Sequence, residues 1–210
     1  MPTQERARAT RASIVEGAAA VFDEKGYARA SLDLIAAEAG VTRGALYFHF
    51  KSKTDLANAV IAEQHRIARV AGEEAVAAAS TAFEGLVRMS VGLARQLTTE
   101  VIVSAGIRLT TDGTARELSA RDPYVDWTQA FRQMLGEAIE QGDVRPTVDA
   151  DQVARFVVSA YTGLQLVSDS LHDRTDLFDR VRDLWVLLLP ALIVPERMAA
   201  NEKLLALVHA

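Results

Sequence analysis

Apolar residues recur at helical spacing along most of the chain, and the most informative stretch covers residues 31–50. Its first half has an apolar face at positions i, i+3, i+4 and i+7, formed by Leu32, Ile35, Ala36 and Ala39. Ser31 stands where an N-cap is expected, and Gly40 stands where a left-handed residue ends a helix. The pattern therefore predicts a short helix between these two residues.

A second short helix is predicted at residues 43–49, with Thr42 as its N-cap and Val41 as an apolar plug in the turn before it. Few residues of this helix can face a core, so packing alone does not explain it. Two short helices joined by a tight turn form a helix-turn-helix, whose second helix enters the major groove of DNA. The pattern therefore indicates a DNA-binding motif.

The second helix carries residue types that can contact the bases and phosphates of DNA. The side chains at its start can reach base edges, and Gly44 lets the backbone approach closely. Further along, Tyr47, His49 and Lys53 can donate hydrogen bonds to phosphates. The predicted DNA-contacting set is Ser31, Thr42, Arg43, Gly44, Ala45, Tyr47, His49 and Lys53. The alternative is a helical hairpin inside a bundle, with Tyr47, Phe48 and Phe50 in the core.

Helical periodicity continues on both sides of the motif. An amphipathic helix at residues 10–25 ends at Gly26, and a long helix runs from residue 52 without proline to about residue 79. Later helices are predicted at about residues 81–98, 100–111, 122–142, 149–171 and 175–194, with a polar loop at residues 112–122. We therefore predict an all-α fold, with a helix-turn-helix domain at residues 1–55 and a helical domain at residues 56–210.

Two late segments, residues 153–171 and 181–194, carry apolar residues on more than one side. A helix that is apolar nearly all round needs cover on every side. In a chain of 210 residues the expected cover is a second subunit, which gives a homodimer with a four-helix interface across a two-fold axis. The alternative is a pair of central helices in a monomeric bundle.

Composition narrows the class of protein. There is no cysteine, which excludes disulfides and thiolate metal sites. No signal peptide or membrane-spanning run is recognised, so we expect a soluble cytoplasmic protein without a membrane partner. The net charge of −5 argues against a nucleic-acid partner, but residues 1–55 carry eight Lys and Arg against seven Asp and Glu. DNA binding would then depend on specific contacts that a dimer doubles.

Catalysis has little support in the sequence. None of the four histidines lies in a nucleophile or zinc motif. A metal site is an alternative interpretation of the cluster Asp169, His172, Asp173 and Asp176, but a solvated corner between two helices explains these residues better. We therefore expect no enzyme activity, no cofactor and no metal centre.

A dense set of residues near the N-terminus is shared with a known family: Phe22, Gly26, Tyr27, Ser31, Leu34, Ile35, Ala36, Ala39, Gly40, Val41, Gly44, Tyr47, His49, Phe50, Lys53 and Leu56. On these residues the region resembles the DNA-binding domain of the TetR family of bacterial repressors. The run at residues 46–50, Trp127, and residues 162–168 followed by Leu171 resemble the γ-butyrolactone-receptor branch of that family. The resemblance implies a two-fold dimer that represses antibiotic synthesis until a small lactone or furan binds.

The resemblance also implies a ligand pocket within the sensor helices. Its expected lining is Gln64, Leu86, Met89, Leu93, Ile107, Leu109, Trp127, Phe131, Val158, Tyr161, Thr162 and Gln165. Trp127 would form one wall, although by spacing alone such a residue more often belongs to a core. Ligand binding would shift the long connector helix and change the separation of the paired recognition helices. The alternative is a pseudo-receptor of the same fold that senses an unrelated antibiotic or hydrophobic compound.

Overall fold

The computed structural model describes residues 2–111, 118 and 121–209. The α-helices are α1 Pro2–Arg29, α2 Leu32–Glu38, α3 Arg43–His49, α4 Lys53–Ala77, α5 Ala82–Thr99, α6 Val101–Thr111, α7 Arg121–Glu140, α8 Ala150–His172, α9 Leu177–Leu192 and α10 Met198–Glu202. Short 3-10 turns at Pro195–Arg197 and Lys203–Leu207 flank α10. No β-strand occurs within the described residues, and the predicted all-α fold is confirmed.

Most predicted helices lie within a few residues of their predicted positions. The N-terminal helix differs, because α1 begins at Pro2 instead of residue 10. It also continues to Arg29, past a non-helical Gly26 with φ 73° and ψ 164° that breaks its backbone. The predicted loop at residues 112–122 lies largely outside the described residues.

The helices fall into two compact units. The first contains Met1–Ala68 and Thr99–Asp122, and the second contains Arg69–Thr98 and Pro123–Ala210. This division differs from the predicted boundary at residue 55, because the start of α4 and the whole of α6 pack with the helix-turn-helix. Sequence periodicity marks α6 as a helix but does not report the helix on which it packs.

The core of the first unit joins α1, α2, α3, the first half of α4 and α6. Its fully buried members include Ile14, Phe22, Ile35, Leu46 and Leu56. Polar contacts attach α6 to α1, since the Ser104 hydroxyl donates to the Asp23 carboxylate at 2.6 Å and the Arg108 guanidinium donates to the Asp23 carbonyl oxygen. Helix α6 is therefore held against α1, which itself packs on α2 of the DNA-binding motif.

Trp185 anchors the core of the second unit. Its ring is 1% exposed and meets Phe83 edge to face, with the ring centroids 5.6 Å apart. The indole N–H donates to the Ser90 hydroxyl at 2.8 Å, and the Tyr161 hydroxyl donates to the Ser90 carbonyl oxygen, also at 2.8 Å. These bonds satisfy two buried aromatic donors and connect α5, α8 and α9.

The corner between α8 and α9 contains the acidic residues near position 172. Asp169 pairs with Arg174 at 2.9 Å, and Asp176 pairs with Arg180 at 2.7 Å and accepts from the Ser168 hydroxyl. The bond from Ser168 is the largest of the effects that lower the pKa of the Asp176 carboxyl. These carboxylates are paired with basic and hydroxyl groups, as in a solvated corner between helices.

Candidate DNA-binding surface and sensor residues

The helix-turn-helix is built by local capping. The Ser31 hydroxyl accepts from the Leu34 N–H and the Thr42 hydroxyl accepts from the Ala45 N–H, each at 3.2 Å, so both predicted N-caps are confirmed. Gly40 has φ 64°, a conformation that side chains other than glycine rarely adopt. The turn therefore fixes the direction in which α3 leaves α2.

Helix α3 presents two exposed aromatic side chains. Tyr47 is 53% exposed and Phe48 is 81% exposed, whereas Leu46 and Phe50 are buried. The alternative in which Tyr47 and Phe48 belong to a core is therefore wrong, and Phe50 alone of that group is a core residue. The sequence prediction also missed Phe48 as a candidate contact. The spacing of Leu46 and Phe50 on one helical face was the signal that could have found it.

The start of α3 carries the predicted base-contacting residues. Thr42, Arg43 and Gly44 are exposed there, as is Ser31 at the start of α2, while Ala45 and His49 are partly buried. The Arg43 guanidinium forms an ion pair with the Asp33 carboxylate of α2. The structure thus leaves Ser31, Thr42, Arg43, Gly44 and Tyr47 exposed on the two short helices of the motif and at their N-caps.

Lys53 lies at the start of α4, and its ammonium group is engaged by the protein itself. It donates to the carbonyl oxygens of Tyr27 at 2.8 Å and Ala30 at 3.1 Å, with Ala28 at 3.5 Å. It also lies 4.4 Å from the centroid of the Tyr27 ring. This arrangement compensates the free carbonyls at the end of α1 and fixes the start of α4 against them.

Replacing Lys53 by methionine is expected to lower the free energy of unfolding by about 1–3 kcal/mol, because hydrogen bonds to a charged donor are lost. The exposed Lys51 replaced by methionine is the control, with a change within about 0.5 kcal/mol. Chemical denaturation followed by circular dichroism measures both changes. If Lys53 acts only on phosphate, stability is unchanged and the salt dependence of DNA binding falls by about one unit of slope.

Three of the predicted ligand residues lie in the first unit. Leu109 is 2% exposed and belongs to the hydrophobic core around α1, so the structure places it in the packing of the motif. Ile107 is partly buried. Gln64 is fully buried on α4, and neither its amide nitrogen nor its amide oxygen has a hydrogen-bond partner.

Gln64 lies at a close approach between α4 and α6. A Cβ atom built on Gly106 of α6 would lie 2.6 Å from Cγ of Gln64 and closer still to its Cβ, which real Cβ atoms essentially never do. Only glycine therefore fits at this position of α6. The Gln64 amide is enclosed by protein with its hydrogen-bonding capacity unused.

Replacing Gly106 by alanine is expected to force α4 and α6 apart and lower the free energy of unfolding by about 1–3 kcal/mol. Thermal unfolding at fixed protein concentration measures this as a midpoint lower by about 2–4 °C per kcal/mol. Gly136 of α7 replaced by alanine is the matched control, because a Cβ atom there meets nothing within 4 Å. An equal response of the two variants would contradict the close approach.

The other predicted ligand residues lie in the second unit. The buried ones are Leu86, Met89, Phe131, Tyr161 and Gln165, and the partly buried ones are Leu93, Trp127, Val158 and Thr162. Met89 and Trp127 are brought together, since a Cβ atom built on Gly72 would lie 3.7 Å from Cε of Met89 and 3.8 Å from Cη2 of Trp127.

Two of these polar groups are already used within the protein. The Tyr161 hydroxyl is bound to Ser90, and burial raises the pKa of this phenol. The Thr162 hydroxyl donates to the Val158 carbonyl oxygen at 2.9 Å. Within the predicted ligand set, Gln64 is therefore the residue whose buried polar atoms have no hydrogen-bond partner.

Helices α8 and α9 both carry exposed apolar side chains. The exposed set is Phe156, Leu166, Val167 and Leu171 on α8, with Val186 and Leu187 on α9. Leu171 is 66% exposed and Leu187 is 77% exposed. Trp185 and Leu189, by contrast, are buried inside the chain. Helix α9 therefore has one apolar face in the core and further apolar side chains exposed to solvent.

Family models match both parts of the chain. The model of bacterial regulatory proteins of the tetR family matches residues 14–60, and the model of the tetracyclin repressor-like C-terminal domain matches residues 80–195. The chain belongs to the TetR family. The first match covers the helix-turn-helix, and the second extends from just before α5 to just past the end of α9.

Two proteins similar to this TetR-family regulator are receptors, and a third is a TetR-family protein solved with its operator. The A-factor receptor protein of Streptomyces griseus is 37% identical over 195 residues, which cover 93% of this chain and 68% of that protein. A crystal structure of a γ-butyrolactone receptor is 33% identical with a TM-score of 0.81, covering 97% of this chain and 98% of that one. CprB of Streptomyces coelicolor, in complex with its operator, is 33% identical with a TM-score of 0.84 and covers 97% and 98%.

The match to another regulator is confined to the DNA-binding part. The regulator TtgR of Pseudomonas putida is 48% identical, but only over 63 residues, which are 30% of each chain. The similarity to the receptors therefore extends over the helices of the C-terminal domain, whereas the similarity to TtgR does not.

Among the described residues, no helix is both long enough and apolar enough to cross a bilayer.

Proposed function

We propose that this TetR-family regulator is a dimeric cytoplasmic repressor without catalytic activity. It binds a palindromic operator through α3, and a small γ-butyrolactone-like or furan-type molecule releases it, which controls secondary metabolism. The similarity to the A-factor receptor, to the γ-butyrolactone receptor and to operator-bound CprB supports this class of function. The DNA contacts are those predicted from the sequence at the exposed start of α3.

The amide of Gln64, which has no hydrogen-bond partner, is the observation that supports a polar effector. A buried donor or acceptor without a partner costs about 1–3 kcal/mol, and this side chain has one of each. A lactone offers a carbonyl acceptor and, when hydroxylated, a donor on a small apolar frame, which suits an amide buried among apolar groups. Ligand binding therefore supplies the hydrogen bonds that the free protein lacks.

Two features of the first unit support a route from Gln64 to the DNA. Gln64 lies on α4, whose first residue, Lys53, is bound to the end of α1. It also touches α6, which Ser104 attaches to Asp23 of α1. A ligand that displaces α4 or α6 therefore acts on the packing of the motif that presents α3.

The dimer is supported by the exposed apolar side chains of α8 and α9. A soluble chain seldom leaves such a set uncovered, and a second copy covers it by two-fold symmetry. A dimer places two copies of α3 on half-sites about 34–36 Å apart, one turn of DNA. The DNA then meets the weak positive charge of residues 1–55 from both subunits.

Gel retardation with the promoter DNA flanking the gene tests the proposal. The full-length protein should shift this DNA, and titration with candidate lactones and furans should remove the shifted band for one compound class. A pseudo-receptor would be favoured if the shifted band persisted at every concentration of lactone and furan but was removed by an unrelated antibiotic. Absence of any sequence-specific shift would contradict operator binding.

A further inference from the structure

The ion pair between Asp33 and Arg43 lies on the DNA-binding surface and has no assigned role. The Arg43 side chain is 69% exposed and the Asp33 side chain is 56% exposed. Arg43 is the first residue of α3, and Asp33 is the second residue of α2. The pair therefore joins the two helices of the motif at the end of α3 that carries the predicted base contacts.

Local structure holds both members of this pair in place. The Ser31 hydroxyl caps α2 two residues before Asp33, and the Thr42 hydroxyl caps α3 immediately before Arg43. The left-handed Gly40 sets the turn between these caps. The carboxylate thus meets the guanidinium because of the geometry of the motif itself.

A carboxylate on this surface weakens the binding of DNA. DNA phosphates repel it, and residues 1–55 have only one basic residue more than acidic residues with which to offset that repulsion. An exposed ion pair contributes only about 0–1 kcal/mol to stability, so folding gains little from it. Asp33 also lies in the first turn of α2, where a negative charge suits the helix N-terminus, and any residue in that turn with a carboxylate would supply this effect. The pairing with Arg43 is specific to position 33.

Arginine recognises guanine through two parallel N–H groups that bind O6 and N7 in the major groove. A free arginine side chain loses considerable rotamer freedom when it takes up this geometry. The guanidinium has five N–H donors, and its Nη2 atom donates to Oδ2 of Asp33, so further donors stay available for a base. A carboxylate that fixes the fork in advance reduces the entropy lost on binding.

We propose that Asp33 is a positioning residue for operator recognition, whose carboxylate orients the Arg43 guanidinium toward one guanine in each operator half-site. This inference rests on the proposed function, namely DNA binding through α3. Asp33 itself contacts no base in this arrangement. Its effect is confined to the base that Arg43 contacts.

Selection from a library of random-sequence duplexes tests the proposal, because it identifies the preferred operator directly. The full-length wild-type protein and the variant Asp33→Ala are each used for selection, and the base preference is read at every position. The wild type should select a palindrome with guanine at one position of each half-site. Asp33→Ala should reduce the preference for that guanine about tenfold and leave the other positions unchanged.

Two further variants serve as controls. Glu38→Ala removes one exposed negative charge from the same helix and should retain the full guanine preference. Both alanine variants should raise the affinity for random DNA slightly, because one repulsive charge per subunit is lost. Asp33→Asn keeps the size of the side chain and one acceptor oxygen but loses the charge, so it should reduce the guanine preference by less than Asp33→Ala does. It covers the case in which the alanine variant fails to fold.

The outcomes separate the inference from the function on which it rests. If the wild type selects no sequence, operator binding itself fails. If the wild type selects a palindrome and the Asp33 variants show the same guanine preference, the positioning role is overturned. It is also overturned if the Asp33 variants reduce the base preference equally at all operator positions and lower the melting temperature. An ion pair that only stabilises the motif would behave in this way.

Discussion

Replacing Gln64 by methionine is expected to weaken the response to the effector while operator binding persists. Methionine keeps the length of the side chain and its packing against Gly106, but it removes both polar atoms. The effector concentration needed for release should rise about 10–100-fold, because the hydrogen bonds to the ligand are lost. Gel retardation with the operator and the releasing compound measures this shift.

The same substitution should raise stability. The Gln64 amide is buried without a partner, so its removal relieves a penalty of about 1–3 kcal/mol in the free energy of unfolding of the ligand-free protein. A variant that is more stable and less responsive separates the ligand role from damage to the fold. Denaturant unfolding in the absence of effector provides the measurement.

Gln141 is the matched control for this experiment. Its amide oxygen accepts from the Ala82 N–H at 2.8 Å, so this oxygen already has a partner within the protein. Gln141→Met should lower the free energy of unfolding by about 1 kcal/mol and leave the effector response unchanged. If Gln64→Met responded to the effector as the wild type does, the ligand would not bind at Gln64.

Replacing Leu187 by glutamate is expected to separate the dimer and remove operator binding. Leu187 is 77% exposed on α9, beside Val186, and two-fold symmetry would bring two such glutamates close together in an apolar interface. A monomer binds one half-site without the gain in effective concentration that the second one provides. The affinity for the palindrome should therefore fall at least about 100-fold.

Light scattering on a sizing column and gel retardation measure these two effects together. The control is Val101→Glu, which places the same charge on an exposed apolar residue at the start of α6, where a negative charge suits the helix N-terminus. This control should stay dimeric and bind the operator. A dimeric Leu187→Glu variant with wild-type affinity would show that α9 does not form the interface.

Much of the motif was predictable because its determinants are local. The Ser31 and Thr42 hydroxyls each accept from a backbone N–H three residues further along, and Gly40 adopts its left-handed conformation between them. Such contacts are encoded within one helical turn, so spacing alone reveals them. The same reasoning correctly predicted the long uninterrupted helix α4.

The roles of particular side chains were less predictable. Lys53 was expected on phosphate, but its ammonium binds carbonyl oxygens 23 to 26 residues earlier in the chain. Arg43 was predicted to contact bases, and the Asp33 carboxylate with which it pairs lies ten residues away on another helix. Leu109 matched the apolar pattern of a pocket but packs in the core of the motif. An apolar or basic residue type does not specify which neighbour it meets.

The sequence by itself determined the helical elements, the two caps, the turn of the helix-turn-helix and the family, because each depends on residues close together in the chain. Only the tertiary structure decided that α6 packs on α1, that Asp33 meets Arg43, and that the Gln64 amide is buried against Gly106 without a partner. These facts depend on how helices approach one another, and that approach results from the packing of the whole core rather than from any local pattern.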